Sequence, residues 1–123
     1  MKFKSTQIRG IGRGHEIGCP TINLIIPENL VLDDGIYATW ITINNNRYMG
    51  ALHLGSIPTF NQSNKTMEVH LIDIQDHNVP QTENIPIQIE IIDFVRKVWK
   101  FNTTEELLNQ IKNDIEKVRK ILS

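Results

Sequence analysis

Apolar and polar residues alternate along most of this chain, and the alternation ends only near the C-terminus. The clearest case runs from residue 85 to residue 91, where isoleucine occupies every odd position. A period of two is typical of strands that bury one face and expose the other. Because Pro86 has no amide proton, we expect it at a strand start or on a strand edge. The pattern predicts a mainly β fold.

Other β-rich runs predict further strands. The sequence Asn44-Asn45-Asn46 lies between two of them, YATWITI and RYMGALHL, and indicates a hairpin. Together with the isoleucine run, the alternation predicts strands at residues 2–8, 36–43, 47–54 and 66–72.

The last twenty residues have a helical period instead. Thr103 is followed three residues later by Glu106, which is the pattern of a capping box at a helix start. Several short strands with one terminal helix predict a small closed barrel against which the helix packs. The apolar stripe of that helix consists of Leu107, Leu108, Ile111, Ile115, Val118 and Leu122.

Composition restricts the class of protein. A chain of 123 residues with 40% hydrophobic and 22% charged residues is an ordinary globular domain, which we place at residues 1–123. The net charge of −1 gives no electrostatic reason to bind nucleic acid or an anionic membrane. One cysteine, Cys19, allows no intramolecular disulfide. No apolar run approaches the roughly 18 residues of a membrane span. We expect a cytoplasmic monomer.

The segment GRGHEIGCPTIN, residues 12–23, joins a glycine-rich basic turn to a Pro-Thr-x-Asn element. Backbone amides of such a turn can point at phosphate oxygens. If the segment is extended, Thr21 and Asn23 place two neutral oxygens on one side, which suits Mg²⁺ held with a nucleotide. The spacing is not that of the Walker-type loop. Taken alone, the Pro-Thr-x-Asn sequence favours a turn in which both side chains bond to the local backbone.

Five segments, in order along the chain, resemble the flavokinase (riboflavin kinase) family. GRGHEIGCPTIN is similar to the family signature GRGRxLGFPTAN, and the resemblance extends from about Phe3 to Leu122. It implies a six-stranded Greek-key barrel with a C-terminal α-helix. It also implies an ATP:riboflavin 5′-phosphotransferase that uses Mg²⁺ and forms FMN and ADP. The other four segments are GIYA (35–38), GALHLGSIPTF (50–60), MEVHLID (67–73) and DFVRKVWKF (93–101).

The resemblance also implies roles for individual residues. Glu68 matches the catalytic base, which takes the proton of the riboflavin 5′-hydroxyl before that oxygen attacks the γ-phosphorus of ATP. Thr21 and Asn23 match the contacts to Mg²⁺ and phosphate, and Arg96 and Phe101 match contacts to the flavin. The nucleotide contacts that the resemblance implies are Gly10, Gly12, Arg13, Gly14, His15, Gly18, Thr21, Leu71 and Asp73.

Residue types alone leave other interpretations open. Alternation places Glu68, His70 and Ile72 on one face of their strand, where Glu68 could simply be solvated. Arg96 could cap a strand or pair with Asp93 at the surface. Phe101 and Trp99 could be core residues beside a helix start.

Two departures from the family pattern leave an alternative function open. Residues 75–86, QDHNVPQTENIP, lack the family's Tyr and Gly, and Val98 replaces a glutamate. The alternative is a catalytically weak flavin-binding or regulatory module on the same fold. An oligonucleotide-binding barrel is disfavoured, because charges balance and aromatic residues make up 7% of the chain. We also expect the reaction to stop at FMN, since an FMN adenylyltransferase domain needs roughly 150 further residues.

Overall fold

The computed structural model describes residues 1–8, 19–56, 65–75 and 78–123. Within these ranges the chain forms strands and one C-terminal helix, which confirms the predicted mainly β class. The elements are β1 (Lys2–Ser5), β2 (Thr21–Leu24), β3 (Gly35–Ile43), β4 (Asn46–Ser56), β5 (Lys65–Ile72), β6 (Ile87–Arg96) and α1 (Thr104–Leu122).

The strands form one antiparallel sheet in the order β1-β6-β3-β4-β5-β2. Since β3, β4 and β5 are consecutive neighbours and β6 returns beside β3, four strands make a Greek key, as the resemblance implied. Strands β1 and β2 lie at opposite ends of this order. The residues that follow β1 pair with β2 and the residue after it, which curls the sheet into a barrel. The pairs that make this junction are Gln7 with Leu24, Ile8 N with Asn23 O at 2.8 Å, and Ile25 N with Thr6 O at 2.9 Å.

Local sequence explains where two of these strands begin. Asn44 and Asn45 have φ angles of 51° and 68°, a left-handed conformation that asparagine tolerates, and they form the predicted turn between β3 and β4. Pro86 immediately precedes β6, so its missing amide proton removes no bond from the interior of the sheet.

Inward-facing side chains fill the barrel. At Gly50 there is no room for a Cβ atom, which would lie 2.7 Å from Val69 Cγ2 and 2.8 Å from Ile41 Cγ1. The buried residues of this interior are Ile22, Leu24, Tyr37, Ile41, Ile43, Leu52, Leu54, Met67, Val69, Leu71, Ile87 and Ile89.

The helix covers part of the outward face of the sheet. Thr103 is its N-cap, and Thr103 Oγ1 accepts a hydrogen bond from Glu106 N at 3.1 Å, as the capping pattern predicted. Ile115 and Val118 of the helix pack against Ala38, Ala51 and Ile72 of the sheet and form a second buried cluster. Among the described residues, no helix is both long enough and apolar enough to cross a membrane.

Candidate functional site

A row of side chains crosses five strands on the outward face of the sheet. Asn23 of β2 lies opposite Glu68 of β5, and Glu68 lies opposite His53 of β4. His53 lies opposite Ile36 of β3, which in turn lies opposite Arg96 of β6. With neighbouring strands about 4.8 Å apart, the row Asn23–Glu68–His53–Ile36–Arg96 extends over about 19 Å along the curved sheet. We call these five residues the outward row.

The outward row forms one wall of a cavity of about 580 Å³ between the sheet and the helix. That volume is within the usual range of small-molecule sites. The opposite walls include Trp99 and Phe101, which follow β6, and Leu107, Ile111 and Asp114 of the helix. Met67, Val69 and Leu71 all belong to the barrel core, whereas Glu68 and His70 lie on the other face of β5 and line the cavity, so the predicted assignment of the β5 faces is confirmed.

The extended conformation of β2 gives Thr21 and Asn23 a common face, while Ile22 and Leu24 are buried in the barrel. Thr21 Oγ1 is itself buried and has no hydrogen-bond partner among the described residues. Leaving such an atom unpaired costs about 1–3 kcal/mol, which a ligand or cation could offset. A hydroxyl and an amide oxygen on one strand face are hard donors, so these two residues fit Mg²⁺.

Two histidines beside Glu68 are held neutral. Burial, and to a smaller extent the neighbouring His53, lowers the pKa of His70 to about 4. Burial also lowers the pKa of His53, followed by the positive charge of Arg96. At neutral pH the middle of the cavity wall therefore presents uncharged imidazoles.

Arg96 is buried, and its guanidinium is fixed by the helix. Arg96 Nε donates to Asp114 Oδ1 at 2.9 Å and Arg96 Nη2 donates to Asp114 Oδ2 at 2.7 Å. Gln110 Nε2 donates a further bond to Asp114 at 3.0 Å. The surface pairing with Asp93 that was an alternative for Arg96 is not formed, because the guanidinium binds the buried Asp114 instead.

Aromatic rings surround the Arg96 end of the cavity. The guanidinium carbon of Arg96 lies 4.7 Å from the centre of the Trp99 ring and 5.9 Å from that of Phe101. Trp99 is 47% exposed, so the alternative of a core tryptophan is wrong, and Phe101 is half-buried. Flat aromatic groups with a cation beside them suit a planar conjugated ligand.

Among the described residues, the predicted nucleotide contacts Thr21, Leu71 and Asp73 are not part of the cavity lining. Leu71 is fully buried in the barrel core and its amide donates to Pro20 O at 2.9 Å, so its side chain has no access to a ligand. The Asp73 carboxylate is exposed and accepts two bonds from Arg119, at 3.1 and 2.8 Å. The predicted contacts Gly10, Gly12, Arg13, Gly14, His15 and Gly18 lie outside the described residues.

Sequence reasoning missed two polar residues of the site. Asp114 lies on the helix face that also carries Ile111 and Val118, and an acid in an apolar stripe was a visible signal for a buried partner. His53 left no comparable signal, because its position beside Glu68 depends on the register between β4 and β5.

Comparison with known proteins identifies the family of this chain. The family model described as "Flavokinase: Riboflavin kinase" matches residues 1–122. The chain is 34% identical over 116 residues to a bifunctional riboflavin kinase/FMN adenylyltransferase of Buchnera aphidicola, a match that covers 92% of this chain and 36% of that protein. It is 28% identical over 124 residues to a riboflavin kinase of Homo sapiens, covering 94% of this chain and 76% of that protein.

A solved structure shares the fold. It is described as a macrolide-efflux protein from Streptococcus pneumoniae, with a TM-score of 0.77 and 25% identity, and the match covers 96% of this chain and 38% of that one. The chain thus spans about a third of the length of these longer bacterial proteins. Since the family model covers nearly every residue, the chain belongs to the flavokinase family and represents its kinase domain.

Proposed function

We propose that this domain is an ATP:riboflavin 5′-phosphotransferase that forms FMN and ADP. The observation that carries the proposal is the outward row, which places Glu68 directly opposite Asn23 in the wall of a cavity with an aromatic end. A carboxylate, an amide oxygen and stacking groups are thereby arranged along one ligand-sized space. Membership of the flavokinase family supports the same reaction.

The two ends of the outward row suggest how riboflavin binds. The isoalloxazine ring would lie at the Arg96 end, against Trp99 and Phe101, where the aromatic side chains can stack on it. The ribityl chain would then run along the sheet towards Glu68. About three strand spacings, or roughly 14 Å, separate Arg96 from Glu68, which leaves room for an extended chain.

Glu68 would act as the general base. Its carboxylate takes the proton of the 5′-hydroxyl while that oxygen forms the new bond to the γ-phosphorus and the bond to the ADP oxygen breaks. Thr21 and Asn23 would hold a Mg²⁺ ion, which when bound supplies positive charge next to the transferred phosphoryl group. The predicted phosphate contacts of residues 10–18 belong to this proposal, as does a cytoplasmic monomer with no nucleic-acid or membrane partner.

The first test is to incubate the protein with riboflavin, ATP and Mg²⁺ and to separate the flavins by chromatography. We expect FMN with the wild-type protein, and a loss of about 10²- to 10⁴-fold in rate with Glu68→Gln, because an amide cannot accept the proton. Asn23→Ala should also reduce the rate strongly.

Glu90→Gln is the matched control for this test. Glu90 lies on the outward face of β6 and pairs with Arg47 at 3.7 Å, and it is not among the described residues that line the cavity. It should keep wild-type activity. FMN formation by Glu68→Gln at the wild-type rate would rule out the assigned base. Riboflavin binding without any FMN would favour the flavin-binding module instead.

A further inference from the structure

His53 is the polar residue of the outward row that the proposed reaction leaves without a role. Between Glu68 and Arg96 the row contains two residues, His53 on β4 and Ile36 on β3. Both line the cavity. Because strands are about 4.8 Å apart, His53 is one spacing from the proposed base and two spacings from the aromatic end.

The His53 ring has an unused polar atom. His53 Nδ1 is buried and has no hydrogen-bond partner among the described residues. Burial and the charge of Arg96 keep the ring neutral, so it offers one N–H donor and one nitrogen acceptor. A buried polar atom without a partner is unfavourable, which indicates that a bound molecule supplies the missing bond.

We propose that His53 determines substrate specificity by hydrogen-bonding to a hydroxyl of the chain that connects the flavin ring to the reacting 5′-oxygen. This inference rests on the proposed function. A polyhydroxylated chain carries a donor and an acceptor on each hydroxyl, which matches the two nitrogens of a neutral imidazole. His53 thus selects ligands that carry a hydroxylated chain over ligands that present the ring system alone.

The test compares riboflavin with lumiflavin, which has the same ring system and a methyl group in place of the ribityl chain. Dissociation constants come from the quenching of flavin fluorescence. His53→Leu keeps a side chain of similar size without hydrogen-bonding groups, and His53→Gln keeps both a donor and an acceptor. We expect His53→Leu to weaken riboflavin binding about three- to tenfold, the effect of one hydrogen bond, and to leave lumiflavin binding unchanged. His53→Gln should restore most of the loss.

Each outcome is decisive. Lumiflavin binding also reports whether the cavity of a variant is intact, so His53→Leu weakening both flavins equally would show a packing role and overturn the inference. Unchanged binding of both flavins would overturn it as well. A lower kcat with unchanged riboflavin binding would show that His53 acts by positioning Glu68, again against the inference. If the wild-type protein bound no riboflavin, the proposed function itself would fail, and this inference with it.

Discussion

At the scale of single residues, His70 shows how strongly the site is removed from water. It is 6% exposed beneath the helix, two residues along β5 from Glu68. Burial, then the neighbouring His53, lowers its pKa from 6.5 to about 4. Between these two pH values the unfolded chain binds a proton at this residue and the folded protein does not. The unfolded state is therefore favoured increasingly as the pH falls from 6.5 towards 4.

This linkage gives a pH prediction for the ligand-free protein. Relative to pH 7, His70 should reduce the free energy of unfolding by about 2 kcal/mol at pH 5 and roughly 3 kcal/mol near pH 4. His70→Gln should lose less stability over the same range, since glutamine does not titrate. Urea unfolding curves at several pH values measure both slopes. Identical slopes for the two proteins would contradict the lowered pKa.

The sequence predicted some site residues and could not predict others. The face of Glu68 followed from alternation, and the common side of Thr21 and Asn23 followed from an extended segment. Both inferences need only the geometry of one strand. The neighbours of Glu68 across the sheet, such as His53, depend on how two strands align, and alternation allows several alignments that differ by two residues.

At the scale of elements, two ion pairs among the described residues connect helix α1 to the sheet side, and they lie in different environments. Arg96 and Asp114 have side-chain exposures of 8% and 4%, whereas Arg119 and Asp73 have exposures of 35% and 50%. A buried charge that loses its partner keeps its desolvation cost, whereas exposed charges return to water. Removing one partner should therefore lower the free energy of unfolding much more for the buried pair than for the exposed pair.

We predict that Asp114→Asn lowers the free energy of unfolding by about 3–5 kcal/mol, because Arg96 then remains buried without a counter-charge. Asp73→Asn should lower it by less than about 1 kcal/mol. Asparagine suits both sites, since it also tolerates the φ of 60° at Asp73. Urea unfolding of the two variants at pH 7 makes the comparison, and equal losses would be inconsistent with it.

The elements were predictable to different degrees. The helix was found with its N-cap because nineteen residues repeat one pattern and Thr103 marks the start. Strand β2 has four residues, too few for a periodic signal. Strand β6 continues to Arg96, although the clear alternation in its sequence ends at residue 91. The alternation stops because the pairing of β6 with β3 shifts register between Ile36 and Tyr37 and between Ala38 and Thr39.

At the scale of the whole molecule, stability depends on how tightly the barrel interior is packed, and around Gly50 there is no room for another methyl group. Gly50 faces this interior, and its carbonyl accepts a bond from Thr39 Oγ1 at 2.8 Å. An added methyl group would contact Val69, Ile41 and Thr39 at less than 3 Å. We predict that Gly50→Ala destabilises the protein by about 1–3 kcal/mol through overpacking.

Thermal or urea unfolding measures this loss. Thr42→Ala, on the partly exposed outward face of β3, is the control and should change stability by about 0.5 kcal/mol or less. An unchanged unfolding midpoint for Gly50→Ala would show that the interior can expand. The closed barrel itself was predicted from its short strands and terminal helix, whereas its Greek-key order was implied by the family resemblance and not by alternation.

The place of β1 in the sheet affects how the protein folds as it is made. Strand β1 pairs with residues 87–90 of β6, so the first of the described strands is synthesised well before its partner, which is the last of them. At a synthesis rate of about 5–20 residues per second, β1 waits roughly 5–20 seconds for that partner. During this interval the hairpins β3-β4-β5 can form, but the sheet keeps an open edge where β6 will bind. Until β6 is made, the unpaired edge of β3 can pair with strands of other chains, a risk that ends when β6 binds to it.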